Sequence, residues 1–442
     1  MDQRLRSFVE GATGAPVARA LPLGSGASRA IWLVTGTDGA EHVLRVDTGD
    51  GPLAGTELTL AREAVVYAAL GGGPLPIPRL VAARAEGDAL LVERAPGRDS
   101  LDGLAEPARA QLMDGYVDAL AVLHGSNASR LDLPGFARPD REDPARPELA
   151  LWRGVFEARV RRPAPLACFA FAWLERNAPR RADRIALCHG DVGPGNFLHE
   201  DGRITALLDW EFAHLGDPLD DLGWLAFRGH HLNDGVGDLR GQLRRWSERT
   251  GLSADPERIA WYRALVMLRM LVSCLAGLDS GAASLDRSVY FSLSALLGVL
   301  LPQALASLAG VALGSALEPP AGATSDQAEV VASVLADLTG QVLPALPAAQ
   351  QGRARGLTLL LLHLQAADRF GASVRAAERA LLARALGRDE PDPLRALAAR
   401  VSAAPPAEDA DWLRLFAELG ARRIALWPFL AGLAAKPLAA LG

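Results

Sequence analysis

Between His189 and Leu222 the chain reads HGDVGPGNFLHEDGRITALLDWEFAHLGDPLDDL, and three side chains in it could do chemistry together. Asp191 is followed by Asn196 five residues on, and by Asp209 eighteen residues after Asp191. Between Asn196 and Asp209, FLH runs out, EDGR turns and ITALL runs back. Asp201-Gly202 is a dipeptide that favours a tight hairpin turn. An antiparallel hairpin brings its ends together, so Asn196 and Asp209 should emerge side by side, with Asp191 just upstream. Hard divalent cations such as Mg²⁺ take one or two protein oxygens alongside nucleotide phosphates. A further carboxylate, free of metal, can orient a hydroxyl and take its proton.

The protein-kinase catalytic loop has this logic, with Asp as base, Asn on one Mg²⁺ and a later Asp on the other. Here the loop is HGDVGPGN, DWE stands where DFG would, and GDPLDDL follows at 216–222. This ordered set resembles the aminoglycoside phosphotransferase and choline kinase family. The resemblance implies an α+β, bilobal protein-kinase-like fold, with an antiparallel sheet N-lobe and a mainly helical C-lobe. It implies an ATP- and Mg²⁺-dependent kinase that moves the γ-phosphoryl group to a hydroxyl of a small molecule. Asp191 would be the catalytic base, and Asn196 and Asp209 the metal ligands. His189 would brace the loop by hydrogen bonding, and Asp221, helped by Asp217, would accept loop N–H bonds. Trp210 would pack, and Glu211 would support metal or substrate.

The resemblance also makes a demand upstream. LPLGSGASRAIWLV at 21–34 offers a glycine-rich turn between two apolar runs, with Gly24, Ser25, Gly26, Ala27 and Ser28 at the nucleotide. Gly24 and Gly26 allow backbone N–H groups to approach phosphate closely. Taken alone, the same segment reads equally well as a plain hairpin turn. EHVLRV at 41–46 is a short alternating strand whose cation is Arg45, where most kinases have lysine. The chain has a single lysine, Lys436, so none is available to a nucleotide site. Arginine keeps its charge and can grip phosphate with two parallel N–H donors. The kinase-like domains linked to acyl-CoA dehydrogenases, which this chain resembles most, also carry arginine here. Glu63 in AREAVVYAAL would pair with Arg45, with Glu57 as fallback. ALLVERAPG at 89–97 would be the hinge, where backbone near Glu93 and Ala95 meets adenine.

At 442 residues, two or three domains are expected, and half the residues are apolar. A net charge of −6 without long basic runs argues against a nucleic-acid surface. Cys168, Cys188 and Cys274 have no metal spacing, and a reducing cytoplasm fits them. Cys188 reads as a buried filler. MDQRLRSFVEG carries no signal-peptide pattern. The uncharged segment 289–317 is long enough to cross a membrane, but Pro302, Gln303, serines and glycines make it one or two buried helices broken near the proline. The expected organisation is an N-lobe over 1–95, a C-lobe with the catalytic hairpin over 96–316, a linker at 317–325 and a helical bundle over 326–442. Asp326 and Glu329 have capping-box spacing.

Within the C-lobe, Leu112, Met113, Tyr116, Leu120 and Leu123 share one helix face. The segment 259–278, with Arg269 in its middle, resembles the corresponding helix of the acyl-CoA-dehydrogenase-linked relatives. The bundle holds no catalytic constellation and resembles small helical bacterial proteins of unknown role. His363 reads as core or rim, and Trp412, Phe416, Trp427 and Phe429 as core.

A polycationic acceptor such as an aminoglycoside would need an acidic pocket. Asp217, Asp220, Asp221, Asp234 and Asp238 follow the DWE segment, but so do Arg228, Arg240, Arg244, Arg245, Arg263 and Arg269. The balance leans to an anionic acceptor such as a hydroxyacyl-CoA. The alternative is a nucleotide-binding pseudokinase acting through its C-terminal helices. A metal-dependent hydrolase would have to gather His189, Asp191, His199, Asp209 and His214, against the position of His199 inside the hairpin. No membrane or nucleic-acid partner is expected, and the sequence sets no oligomeric state.

Overall fold

Alternating apolar residues in the first hundred positions form a sheet with one face covered. The structure, a computed structural model, describes all residues except 26–28, 234–235, 283–285, 315–319, 324, 326 and 442. Helix α1 (Gln3–Thr13) is followed by β1 (Val17–Ser25), β2 (Arg29–Gly36), β3 (Glu41–Asp47), α2 (Leu60–Leu70), β4 (Leu80–Ala83) and β5 (Ala89–Glu93). The strands form one antiparallel sheet in the order β1-β2-β3-β5-β4. Val34, Leu44 and Leu91 bury one face against Val9 of α1. Strand side chains alternate, so Arg45, next to Leu44, projects from the other face. Thr59 caps α2 by accepting from Arg62 N, and that helix turns Glu63 fully inward.

Mostly helices follow: α3 (Glu106–Gly125), α4 (Arg146–Arg159), α5 (Pro165–Arg176), α6 (Leu219–Trp224), α7 (Leu239–Thr250), α8 (Pro256–Ser280) and α9 (Arg287–Leu308). The five expected residues on α3 are all buried. Four short strands interrupt the helices. β6 (Ala186–Cys188) pairs with β9 (His214–Gly216), and β7 (Phe197–Glu200) pairs with β8 (Arg203–Leu207) as the expected hairpin. Its turn residues Asp201 and Gly202 have φ of 48° and 74°, the positive pair such a turn requires. The C-terminal region adds α10 (Ala328–Asp337), α11 (Leu343–Ala345), α12 (Ala348–Leu386), α13 (Pro393–Ser402), α14 (Asp409–Ile424) and α15 (Ala431–Ala435).

The chain divides into two compact units. One comprises Met1–Ala158, Ala178–Val266 and Ala439–Gly442, and holds the sheet and the catalytic hairpin. The other comprises Arg159–Asn177 and Met267–Leu438. The division thus falls inside α8 and not at the 317–325 linker. Within the second unit α14 lies directly on α9: a Cβ on Gly420 would sit 2.2 Å from the Gly298 carbonyl. That carbonyl lies four residues before Pro302, which lacks the N–H to bond it. The expected break at Pro302 does not occur, and α9 runs through it as a single helix. Asp326, the expected cap, lies outside the described residues.

Among the described residues, α8 and α9 are long and apolar enough to cross a membrane, and 78% and 50% of their apolar windows are buried. Arg269 is buried in α8. In the second unit, His363 Nδ1 bonds Leu426 O at 2.8 Å and stacks on Trp427 at 4.0 Å. Trp412, Phe416 and Trp427 are buried, while Phe429 is only partly so.

Candidate functional site

Everything that holds the catalytic loop in place lies within the first unit. After β6 the chain turns sharply at Gly190, where φ is 82° and a Cβ would lie 2.1 Å from the Phe212 carbonyl. Only glycine fits there. The N–H groups of His189 and Gly190 donate to the two oxygens of Asp221, at 2.7 and 2.9 Å. Asp221 is fully buried on α6. Its burial opposes the charge, yet the bond from His124 and the loop N–H groups hold its pKa below the usual range. His124 Nε2 lies 2.9 Å from Asp221, and Trp246 Nε1 donates to His124 Nδ1 at 2.9 Å. The indole donor fixes the tautomer, so Nε2 carries the proton toward Asp221.

His189 is bonded on both ring nitrogens, with Asp191 N donating to its Nδ1 at 3.3 Å. Its Nε2 donates to Leu208 O at 2.9 Å, and its ring packs on Trp210 at 4.6 Å. Burial lowers its pKa, which keeps the ring neutral. Asn196 donates through Nδ2 to Asp191 Oδ2 at 2.6 Å and to Asp191 O at 2.7 Å. Leu208 N donates to Asn196 O at 2.9 Å, which ties the two ends of the hairpin together. Asp209 follows in the left-handed region, φ 62°, and is turned toward the sheet. There Arg45 Nη2 donates to Asp209 Oδ1 at 2.8 Å, while Nη1 donates to Glu63.

Burial opposes the charge on Arg45, but Glu63 and Asp209 outweigh it and raise its pKa well above the ordinary value. Burial pushes Glu63 above the usual carboxylate range, with Arg45 opposing. For Asp209 the balance is reversed: burial works against the charge, and Arg45 brings its pKa below the ordinary value. Glu211 is pushed up to about 8 by burial and by the neighbouring Asp209.

A cavity of about 510 Å³ opens over this cluster. Ile31, Leu33 and Val43 of the sheet and Leu198 and Leu208 of the hairpin line it, together with Arg45 and Asp209. Glu93 and Ala95 lie on its edge. Arg94, Arg98 and Asp99 also line it, so the cavity combines apolar walls with charged groups and is the size of a small-molecule site. Gly24 and Ser25 end β1 opposite Ile31 and Ala30. Gly26, Ala27 and Ser28 lie outside the described residues. Asp209 and Asn196 offer a carboxylate and an amide oxygen, a donor set that suits Mg²⁺, and the Asn196 amide N already serves Asp191.

The remaining residues sort clearly. Glu57 lines a different cavity with Arg62 and is not the partner of Arg45. His199 bonds Ser100 O at 2.9 Å, and His214 lies 3.0 Å from Asp220, so no hydrolase-type cage forms with His189. Asp217 accepts from Leu219 N at 3.1 Å and lies 3.4 Å from Arg258, and burial raises its pKa to about 7. The Asp217 carboxylate therefore starts α6, and among the described residues it accepts no bond from the loop N–H groups. Cys188 is a buried filler. His124 and Trp246 carry no motif of their own. The only sequence signal was a histidine closing an amphipathic helix.

Arg228 was named in the sequence only among a group of arginines. Its Nη1 donates to Asp191 O at 3.3 Å, and its Nε lies 3.4 Å from Asp191 Oδ1. The others are engaged elsewhere or lie apart. Arg245 pairs with Asp118, Arg244 with Asp238, and Arg263 donates to Ala439 O. Arg240 is exposed.

This fold and this cluster define a kinase-like phosphotransferase. Residues 19–262 match the model of the Phosphotransferase enzyme family (APH), and the chain belongs to that family. Acyl-CoA dehydrogenase family member 11 of Rattus norvegicus is 25% identical over 236 residues, covering 48% of this chain and 29% of the relative. The Gallus gallus protein of the same name is 30% identical over 196 residues, covering 42% and 25%. The chain thus matches less than a third of the length of these relatives. Among solved structures, a thermostable mutant of aminoglycoside phosphotransferase APH(4)-Ia, in ternary complex with AMP-PNP and hygromycin B, shares the fold. Its TM-score is 0.52 at 19% identity, over 70% of this chain and all of that one.

Proposed function

We propose that the chain transfers the γ-phosphoryl group of ATP, with Mg²⁺, to a hydroxyl of a small anionic molecule. The observation that supports this is the convergence of Asp191, Asn196 and Asp209 beneath a cleft whose Arg45 is held by Glu63. The nucleotide lies in this cavity, with adenine against the Glu93–Ala95 edge. Arg45 turns its guanidinium to phosphate oxygens. Mg²⁺, held by Asp209 and Asn196, supplies charge neutralisation at the phosphates. Asp191 orients the acceptor hydroxyl and takes its proton as the oxygen attacks. Asn196 keeps that carboxylate aimed, and His189 with Asp221 fixes the loop. Positioning carries most of the rate.

The anionic acceptor is supported by how the charges are used. Asp217, Asp220, Asp221 and Asp238 all serve the protein's own groups: α6, His214, the catalytic loop and the start of α7. Asp234 lies outside the described residues. The cation beside Asp191 is Arg228, which would repel a polycation. A hydroxyacyl-CoA is one acceptor of the class. The test is ATP turnover against a hydroxyacyl-CoA panel and an aminoglycoside panel. Turnover with the aminoglycosides alone overturns the anionic reading.

One observation favours the alternative. Arg45 already holds Asp209 Oδ1, as a pseudokinase that binds nucleotide without transfer could keep it. A phosphorylated product, formed from ATP and a cell metabolite extract and absent with Asp191→Asn, decides for the enzyme.

A further inference from the structure

Arg45, Arg94 and Arg98 are the cations that line the cleft among the described residues. Arg45 approaches from the sheet, and nothing in the catalytic loop itself carries positive charge: residues 189–196 read HGDVGPGN, with His189 held neutral by burial. Arg228 fills that gap from another element. It stands on a wide helical turn, Leu225–Gly229, that continues α6. Its side chain lies along the loop, where a Cβ on Gly193 would meet its Cγ and Nη1 at 3.0 Å. Gly193 thus leaves room for a guanidinium that the loop does not itself supply.

Its position is defined on several sides. Nη1 bonds the Asp191 carbonyl at 3.3 Å, and Nε lies 3.4 Å from the Asp191 carboxylate. Asn233 Nδ2 donates to Arg228 O at 2.5 Å and so fastens its backbone. The side chain is about a fifth exposed, and among the described residues Nη2 has no hydrogen-bond partner. A guanidinium has five donors, and two of its nitrogens are enough to hold it against the loop. The remaining one, 3.7 Å from where a Cβ on Gly195 would lie, stays available to an anion at that edge of the cavity.

We propose that Arg228 is a catalytic residue of this site, a cation that faces the transferring phosphoryl group from the acceptor side. The proposal rests on the phosphotransfer reading above. In the step, the acceptor O–H gives its proton to Asp191. The acceptor oxygen bonds the γ-phosphorus, the bond from that phosphorus to the β–γ bridging oxygen breaks, and ADP leaves with the electron pair. Charge spreads over the equatorial phosphoryl oxygens as this happens. A fixed guanidinium beside that charge stabilises the transition state more than the ground state.

The test needs no knowledge of the acceptor. MgADP with aluminium fluoride mimics the phosphoryl group in flight, and its binding can be compared with that of MgADP alone by titration calorimetry. In the wild type, fluoride should tighten binding. Arg228→Ala should remove about 100-fold or more of that gain and leave MgADP affinity within about threefold. Arg228→Lys should recover part of it. If Arg228→Ala keeps the full gain, Arg228 does not face the phosphoryl group and the proposal falls. If the wild type itself shows no gain, the phosphotransfer reading fails first, and the proposal with it. Unchanged MgADP binding and an unchanged melting temperature separate a lost cation from a lost fold. Should Arg228→Ala not fold, Arg228→Lys and Arg228→Gln give the same comparison.

Discussion

Arg45 is caught between two carboxylates, and that fixes what its removal would do. Glu63 is fully buried, and among the described residues its ion-pair partner is this guanidinium. Removing one member of a buried pair strands the other charge and costs about 3–5 kcal/mol. Arg45→Ala should therefore unfold at lower urea at pH 7, and Arg45→Met with Glu63→Leu should recover most of the loss. Burial pushes the pKa of Glu63 upward, so acid neutralises the stranded carboxylate and the deficit should shrink toward pH 5. A deficit that grows in acid would contradict the pair. At the base, Asp191→Asn should cut turnover about 10²–10⁴-fold while MgAMP-PNP still binds. The closeness of the hairpin ends at Asn196 and Asp209 was legible in the sequence because the Asp201-Gly202 turn marks an antiparallel return; the register shift between Leu198 and His199 was not. Half of the support for Asp221 was not, since His124 lies 97 residues from it and Trp246 lies 122 from His124. No local pattern links residues so far apart.

Two glycines, Gly190 in the catalytic loop and Gly202 in the hairpin turn, set the backbone geometry of this region. Gly190→Ala would force a Cβ against the Phe212 carbonyl and should cost about 3 kcal/mol or more, with activity lost in step with the melting temperature. Gly202→Ala at the exposed turn meets no atom and should cost only the left-handed backbone penalty of about 1–2 kcal/mol. Equal losses at both would mean that Gly190 is not tightly packed. At the start of α6, Asp217 supplies a pH signature. Its folded pKa is raised to about 7 by burial, above the ordinary value near 3.9. The native state then holds that proton more tightly than the unfolded chain. Its contribution is full below pH ~4 and is lost as pH rises through ~7, with a slope of at most about 1.4 kcal/mol per pH unit. Asp217→Asn should flatten this component in urea melts from pH 4 to 8, and an unchanged slope would exclude Asp217 as its source. The strand, hairpin and α3 patterns were legible because each buries one face at a regular period. The course of α9 through Pro302 was not, because proline disfavours a helix interior locally and nothing in the local pattern shows that the helix continues.

The bundle was expected as a module separate from a kinase-like region by virtue of the Pro- and Gly-rich stretch at 317–325. Composition marks a linker but not which surfaces pack, and the compact units are drawn differently: Met267–Leu438 gathers α9 together with the C-terminal helices. A separate bundle should be removable at little cost, whereas a shared core should not. The contacts favour the second outcome. Gly420 of α14 approaches the Gly298 carbonyl of α9 more closely than any side chain would allow, and Phe416 and Leu419 on the same helix are buried. Phe169 of α5 lies 5.5 Å from Phe416, ring to ring, so α14 meets two helices that precede the linker. Truncation after residue 325 would bare apolar surface on α5 and α9. Each fully exposed Leu- or Phe-sized side chain forfeits about 1.5–3 kcal/mol, and a few such losses rival the whole stability of a domain. A 1–325 chain should elute as aggregate in size-exclusion chromatography and show no cooperative melt. A monomeric, cooperatively melting 1–325 chain with unchanged MgAMP-PNP affinity would instead make the C-terminal helices an appended domain, and would move the search for their role from folding to binding.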